Sequence, residues 1–156
     1  MPLIIRRMEE KDIFMVLRLE IKENQTGYVS PIEKMLGNLE ADEECHLLEY
    51  DTEIIGFFLT DQNYWQKYDF SGQGEIGFLG FFIDASHQGR GLGKVAVKGL
   101  KPYLKSSYPE ADGVVLTVNI KNKAAIKVYL AGGFEDTGEE YLGGRAGPQH
   151  IMRMGL

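Results

Sequence analysis

The stretch with the clearest potential for chemistry is a glycine-rich turn between an apolar run and an amphipathic run. The turn reads Gln88-Gly89-Arg90-Gly91-Leu92-Gly93-Lys94, and it follows the apolar run Ile76–Ile83. Glycines let a backbone approach a ligand closely, and the free N–H groups at the positive end of a helix suit a phosphate. Arg90 and Lys94 add positive charge. The turn therefore predicts a phosphate-binding site.

Other interpretations of this turn compete with that one. The lysine-containing phosphate loop GxxxxGK[ST] does not fit, because it requires glycine at Gln88 and serine or threonine at Val95. A dinucleotide fingerprint can be aligned as Gly91-x-Gly93-x-x-Ala96. However, the next strand ends near Val118-Asn119 without the acidic residue that binds a ribose. The third interpretation is a turn that binds no ligand. It does not explain why the positive residues Arg90 and Lys94 are present there.

A second motif downstream makes a family resemblance specific. The turn contains Gln88-x-x-Gly91-x-Gly93, and the later stretch reads Asn122-x-x-Ala125-x-x-x-Tyr129-x-x-x-Gly133-Phe134. In this order and at this distance, the two resemble the pyrophosphate-binding motif and a later motif of the GCN5-related N-acetyltransferases, the GNAT family. The resemblance is clear from about Gly74 to Phe134.

The elements that would position these motifs follow from periodicity. Short apolar or β-branched runs predict strands at Leu3–Arg6, Cys45–Glu49, Ile54–Leu59, Ile76–Ile83 and Val114–Val118. Two further strands are predicted on either side of a flexible loop, at Phe134–Leu142 and at His150–Met154. Helical spacing predicts helices near 13–21, 31–39, 91–104 and 122–131. The resemblance implies a single α/β domain over residues 1–156, with a mixed twisted sheet of about seven strands flanked by about four helices. It also implies that the fourth and fifth strands splay apart to admit a cofactor.

The resemblance further implies that acetyl-CoA lies between those two strands. Backbone N–H groups from Gln88 to Lys94 would hold its pyrophosphate. The main chain of Phe81, Phe82 and Ile83 would pair with the pantetheine arm, and an N–H group near Phe81 would polarise the thioester carbonyl. Asn122 would contact the pantetheine or adenine end while also capping a helix.

Amine attack on a thioester needs a deprotonated amine, an oxyanion donor and a proton for the departing thiolate. Tyr129 occupies the motif position whose hydroxyl faces the coenzyme sulfur in the family, which makes it the candidate acid. Glu75 opens the central strand and shares a face with Phe81 if no bulge intervenes. It is a candidate base or substrate anchor, with a solvated strand end and a water relay as the alternatives.

Composition limits the partners. Seventeen Lys and Arg against 23 Asp and Glu give a net charge of -6, which argues against nucleic acid and mildly favours a cationic substrate. Cys45 is the single cysteine, so no internal disulfide forms. The three histidines lack metal-ligand spacing, so no metal is expected. Without a signal peptide or an apolar run of about 18 residues, we expect a cytoplasmic protein with no membrane partner.

These observations predict an acetyl-CoA-dependent N-acetyltransferase that acts on a primary amine by direct attack in a ternary complex. Glu20, Glu23 and Glu75 favour a polyamine-like acceptor, although a peptide N-terminus, an amino acid or an antibiotic amine would suit equally. By analogy, Glu20–Tyr28, an aromatic stretch within 61–73 and Gly143–Gln149 would line the acceptor pocket. The aromatic stretch could instead cover the sheet edge or join a homodimer. A non-catalytic acyl-CoA sensor or scaffold is the alternative function, and a dinucleotide-binding protein is a more remote one.

Overall fold

A computed structural model describes residues 2–156 of the chain. Its strands are β1 Leu3–Arg7, β2 Glu43–Tyr50, β3 Glu53–Asp61, β4 Glu75–Ile83, β5 Gly113–Asn119, β6 Glu135–Tyr141 and β7 Gln149–Gly155. Its α-helices are α1 Ile13–Val16, α2 Ile32–Gly37, α3 Tyr64–Lys67, α4 Leu92–Lys98, α5 Leu100–Ser107 and α6 Lys123–Ala131. The strands form one mixed sheet in the order β1-β2-β3-β4-β5-β7-β6, which confirms the predicted α/β fold.

The helices differ from the prediction in number and length. Two helices, α1 and α3, are single turns of 4 residues, and Gly99 divides the run predicted as one helix into α4 and α5. The first predicted helix ends at Val16, and Leu17 remains exposed. Beyond it, the Ala85 N–H donates to the Glu20 carbonyl oxygen at 2.8 Å. This long-range bond joins the extended chain to the end of β4.

Each face of the sheet has its own apolar cluster. One cluster packs beneath α4, α5 and α6 and includes Phe58, Phe78 and Leu116. The opposite face packs against α1 and α2 through Val16 and Met35. The aromatic stretch around α3 packs with Val115 of β5 and Ile151 of β7, so it covers part of a sheet face. Cover was one of its three predicted roles, although at the edge of the sheet, and β5 and β7 are inner strands. None of the helices within 2–156 has the length and apolar character needed to span a bilayer.

The fourth and fifth strands are paired at one end only. The parallel pairing of β4 and β5 joins Glu75–Gly77 to Gly113–Val115, and no further pair follows along the two strands within 2–156. Beyond that point, the edge of β4 facing β5 has no neighbouring strand to bond with. The predicted splay is therefore present, and its open end begins at Phe78.

A β-bulge lies inside the open part of β4. Phe57 pairs with Phe82, whereas Leu59 pairs with Leu79, so β4 has one more residue than β3 over this interval. Gly80 has a φ of 64°, a conformation that favours glycine. The bulge reverses the alternation, and Phe81 packs on the face of the large cluster. The shared face proposed for Glu75 and Phe81, which required a strand without a bulge, is therefore absent.

Candidate active site

Two cavities meet at the open end of β4. The first, which we call the turn cavity, has a volume of about 250 Å³. It is lined by Lys22, Asn24, Gln25, Phe81, Phe82, Ile83, His87, Gln88, Gly89, Gly91, Leu92, Gly93, Lys94, Asn122, Ala124, Ala125, Val128 and Tyr129. The turn cavity thus brings together every predicted cofactor-binding residue except Arg90.

The second, which we call the loop cavity, has a volume of about 390 Å³. It is lined by Thr26–Pro31, Phe78–Phe81, Thr117–Asn119, Asn122, Tyr129, Arg145, Ala146 and Gln149. Phe81, Asn122 and Tyr129 line both cavities. A ligand in the turn cavity and another in the loop cavity would therefore meet at these three residues.

The glycine turn is open where a ligand would approach it. Gly89 and Gly91 have φ angles of 77° and 73°, and a Cβ at either position would meet no atom within 4 Å. Their backbone conformation, rather than crowding, favours glycine there. Gly91 precedes α4, and no side chain caps the first N–H groups of that helix. These groups face ligand or solvent, as a pyrophosphate site requires.

The predicted turn residues divide into two groups. Gln88 donates its side-chain amide to the Ile83 carbonyl oxygen at 2.8 Å, so it ties the turn to the end of β4. The guanidinium of Arg90 lies 5.6 Å from the Tyr50 ring centre, outside the cavity lining. Lys94 does line the turn cavity. Of the two cations predicted at the turn, Lys94 therefore lines the cavity and Arg90 does not.

Lys22 also lines the turn cavity, beside Asn24 and Gln25. These three residues fall within Glu20–Tyr28, the range that analogy predicted for the acceptor pocket. Of that range, only Thr26–Tyr28 line the loop cavity, whereas these three line the turn cavity. His87 lies there too, with its ring nitrogens 3.3 Å from carboxylate oxygens of Asp84 and Glu53. Nothing in the local sequence signals that Lys22 reaches the glycine turn, because its position depends on long-range packing.

Tyr129 lies on α6, between the two cavities. It is 8% exposed, and its ring packs against Phe78, Phe81 and Phe134 with centroids 5.7–6.1 Å apart. Burial raises the pKa of its phenol above the ordinary value, so the hydroxyl stays protonated at neutral pH. Within residues 2–156, this hydroxyl has no hydrogen-bond partner, and it is therefore available to a ligand.

Asn122 caps α6 and also lines both cavities. Its Oδ1 accepts the Ala125 N–H at 3.4 Å, which caps α6 as expected. Its amide also pairs with that of Gln25, through bonds of 3.0 and 3.1 Å. The sequence does not indicate this second contact, because the two residues are 97 positions apart.

Glu75 lies at the closed end of the splay. Its carboxylate accepts the Arg153 Nε–H at 2.9 Å and the Gly72 N–H at 2.7 Å. It lines neither cavity, and it lies six positions before Phe81 on β4, which is about 20 Å of extended strand. The structure therefore does not bring Glu75 together with Tyr129.

The predicted acceptor-side residues are only partly present at the loop cavity. Arg145, Ala146 and Gln149 line it, whereas the aromatic stretch around α3 does not. The Asn119 side chain donates to the Ala146 carbonyl oxygen at 3.0 Å and ties this loop to β5. Glu20 and Glu23 also lie outside the lining. Ser30, Pro31 and Thr117–Asn119 are additional lining residues that the sequence did not indicate.

Comparisons with known proteins agree with this geometry. Residues 11–134 match the model of the Acetyltransferase (GNAT) family. The chain belongs to the GNAT family. The predictions of family, fold and an acetyl-CoA-dependent N-acetyltransferase are thereby confirmed at the level of the family, and the dinucleotide-binding alternative is wrong.

Individual relatives add detail to this GNAT assignment. The spermine/spermidine N(1)-acetyltransferase of Bacillus subtilis is 30% identical over 145 residues, which cover 89% of this chain and 91% of the relative. The aminoglycoside acetyltransferase AAC(6')-Ib, solved with paromomycin and acetyl-CoA, has a TM-score of 0.79 at 20% identity, covering 99% of this chain and 94% of that one. Spermidine N-acetyltransferase from Vibrio cholerae, solved with CoA and spermine, has a TM-score of 0.70 at 20% identity, covering 98% and 95%.

Proposed function

We propose that this GNAT protein transfers the acetyl group of acetyl-CoA to a primary amine of a polyamine by direct attack. The observation that carries the proposal is the position of Tyr129. Its unbonded hydroxyl lies where the turn cavity and the loop cavity meet. An acid at that junction can serve a reaction between two ligands that enter from opposite sides.

The turn cavity suits acetyl-CoA, which supplies the thioester. Backbone N–H groups between Gln88 and Lys94 and the side chains of Lys22 and Lys94 match the negative charge of its phosphates. The open edge of β4 at Phe81–Ile83 offers main-chain groups to the amides of the pantetheine arm. This cavity reaches Tyr129, so the thioester end would lie beside the phenol.

The reaction then needs little beyond alignment and one proton donor. The amine nitrogen forms a bond to the acetyl carbon while the carbon–sulfur bond breaks. Tyr129 donates its proton to the departing sulfur, and the proton lost by the amine passes to water. Because its pKa is raised, Tyr129 stays protonated until the sulfur departs.

The structure favours a water relay over Glu75 as the route for the amine proton. Glu75 is held by Arg153 at the closed end of the sheet. Among residues 2–156, no carboxylate lines the loop cavity. A site without a carboxylate favours the neutral form of an entering amine, because burial disfavours a charged group that has no partner. The neutral form is also the nucleophile.

A polyamine is the first candidate acceptor. The Bacillus relative is a spermine/spermidine acetyltransferase, which supports this choice. Next to β7, whose Gln149 lines the loop cavity, lies β6, with four carboxylates at Glu135, Asp136, Glu139 and Glu140. One amine could enter the cavity in its neutral form while the remaining ammonium groups stay near this acidic strand.

Arg145 favours a second candidate acceptor. It is the one charged side chain among the described residues that line the loop cavity. A guanidinium binds carboxylates well, so an amine that also carries a carboxylate, such as an amino acid, would fit the charge. The two acceptor classes predict opposite effects for Arg145→Met.

An acceptor panel tests both candidates. Release of free thiol from acetyl-CoA is measured with spermine, spermidine, several amino acids and an aminoglycoside. We expect polyamines to be acetylated, and Arg145→Met to lower or leave unchanged their KM. Preference for amino acids, with a raised KM in Arg145→Met, would favour the second class. Tight coenzyme binding with no amine-dependent thiol release would favour the non-catalytic sensor.

We also propose that the enzyme acts in the cytoplasm as a single domain, and that a homodimer is an assembly to test. Its composition and single buried Cys45 suit a reducing compartment. Molar mass from light scattering on purified protein would decide between monomer and dimer.

A further inference from the structure

A pair of side-chain amides spans the outer edge of the site. Gln25 Nε2 donates to Asn122 Oδ1 at 3.1 Å, and Asn122 Nδ2 donates to Gln25 Oε1 at 3.0 Å. Each NH₂ group has two hydrogens, so each amide retains one donor after the pair has formed. Asn122 is 7% exposed, which shields the pair from competition with water.

This pair coincides with the boundary between the two cavities. Along one chain segment, Lys22, Asn24 and Gln25 line the turn cavity, whereas Thr26–Pro31 line the loop cavity. The change from one cavity to the other falls immediately after Gln25. On the α6 side, Asn122 belongs to both linings. The amide pair therefore forms the outer partition, opposite the inner one formed by Phe81 and Tyr129.

Through its backbone, Gln25 also holds part of the segment Thr26–Pro31, which lines the loop cavity and which we call the acceptor wall. Its carbonyl oxygen accepts the Tyr28 N–H at 2.9 Å and the Val29 N–H at 3.1 Å. The same residue thus holds the turn that lines the loop cavity and, through its side chain, anchors that turn to the first residue of the α6 motif. The segment follows the three-residue 3-10 helix Glu23–Gln25, and Val29 packs it against the apolar cluster beneath α1 and α2.

We propose that Gln25 is a positioning residue that acts through Asn122, so that the acceptor wall is held in register with the thioester. The inference rests on the proposed acetyl transfer. Misplacement of a reacting group by about 1 Å can lower a rate by roughly a hundredfold. Loss of the pair releases the wall but leaves the glycine turn and Lys94 unchanged, so it affects the acceptor more than the coenzyme.

Gln25→Met keeps the length of the side chain but removes its hydrogen bonds, and the exposed Gln73→Met is a matched control. We expect Gln25→Met to lower kcat/KM for the amine by about tenfold to a hundredfold, with a raised acceptor KM and a lowered kcat. Gln25 itself lines the turn cavity, so the Kd of the coenzyme should also rise, but by a smaller factor than the acceptor KM. In the Asn122→Leu background, Gln25→Met should add almost nothing, because residues that act as a unit are not additive.

Three outcomes would overturn the inference: unchanged amine kinetics in Gln25→Met, an equal loss of coenzyme affinity, or independent effects of the two substitutions. Failure of the proposed function would appear in the wild type, as an absence of acetyl transfer to any amine. In that case, hydrogen exchange of the peptide spanning 22–31 decides. Faster exchange in Gln25→Met and in Asn122→Leu, but not in Gln73→Met, supports the anchor, and unchanged exchange refutes it.

Discussion

Two buried tyrosines in this protein have opposite surroundings. Tyr108 is 5% exposed, and its hydroxyl lies 2.6 Å from Thr60 Oγ1, 2.8 Å from Glu44 Oε1 and 3.1 Å from His46 Nε2. Tyr129 is 8% exposed, and within the described part of the chain its hydroxyl has no partner. Burial raises the pKa of both phenols, that of Tyr108 to about 12.

The comparison distinguishes the Tyr108 hydroxyl, which stabilises the fold, from the Tyr129 hydroxyl, which is available to a ligand. The Tyr108 hydroxyl belongs to a network with His46, Thr60 and Glu44 under α5, and none of these four residues lines either cavity. Satisfied buried groups stabilise the fold and restrict its alternatives. The Tyr129 ring is buried, but its hydroxyl is accessible at the cavities and has no partner in the described part of the chain, so it contributes little to folding and its presence is better explained by chemistry.

The largest effect should come from Tyr129→Phe. Without the acid, kcat should fall by roughly 10²–10⁴, the usual contribution of a positioned proton donor. Coenzyme affinity should stay within about threefold, and the melting temperature should barely change, because no protein hydrogen bond is lost. Steady-state kinetics and coenzyme titration check this. If the variant turns over as fast as the wild type, Tyr129 is not the acid.

The next effect is acid destabilisation through His46. Burial lowers the pKa of this fully buried imidazole to about 4, with Glu44, Arg7, Thr60, Tyr103 and Tyr108 around it. The unfolded chain binds the proton near pH 6.5, so stability is complete above that pH and is lost as the pH falls toward 4. The loss approaches ~3 kcal/mol.

Denaturant titrations between pH 7 and pH 4 measure this slope. In His46→Gln the slope should be much smaller over the same window, whatever the level of stability. The ion pair with Arg6 holds the pKa of Asp12 at about 2, so its contribution is lost only at lower pH. An unchanged slope in His46→Gln would assign the acid sensitivity to another group.

Tyr108→Phe should lower stability and leave turnover nearly unchanged, the reverse of what is expected for Tyr129→Phe. Its hydroxyl bonds to Thr60 and Glu44 are lost, which should lower the free energy of unfolding by about 1–3 kcal/mol. The melting temperature should fall by several degrees, while kcat at 25 °C stays within about twofold of the wild type. A large loss of kcat in the folded variant would contradict the separation of the two tyrosines.

The smallest effect is expected from Glu75→Gln. Glutamine keeps one acceptor oxygen for the Gly72 N–H but places an NH₂ group opposite the Arg153 Nε–H, so the ion pair is lost. The cost should be about 1 kcal/mol, because the Arg153 side chain is partly exposed and can bond to water instead. Turnover should match that of the exposed control Glu110→Gln. A hundredfold loss of kcat with little change in melting temperature would restore Glu75 as the base.

The site could be predicted from the sequence where local rules apply. The glycine turn and the α6 motif depend on residues a few positions apart, and both occupy the cavity lining as the family resemblance implied. Most strands were recognisable because each is a short apolar run between turns, whereas β6 carries four carboxylates and is not apolar. Helix ends were less predictable, since contacts of Glu20 with the end of β4 replaced the last turns of the first helix.

By itself, the sequence determined the family, the order of strands and helices, and the residues of the turn and of α6, because these depend on side-chain types and short spacings. Only the tertiary structure decided where β4 separates from β5, that a bulge at Gly80 reverses its faces, and that Arg153 binds Glu75. It also decided that Gln25 meets Asn122 across 97 positions. Such contacts join distant parts of the chain, and no local pattern encodes which residues will meet.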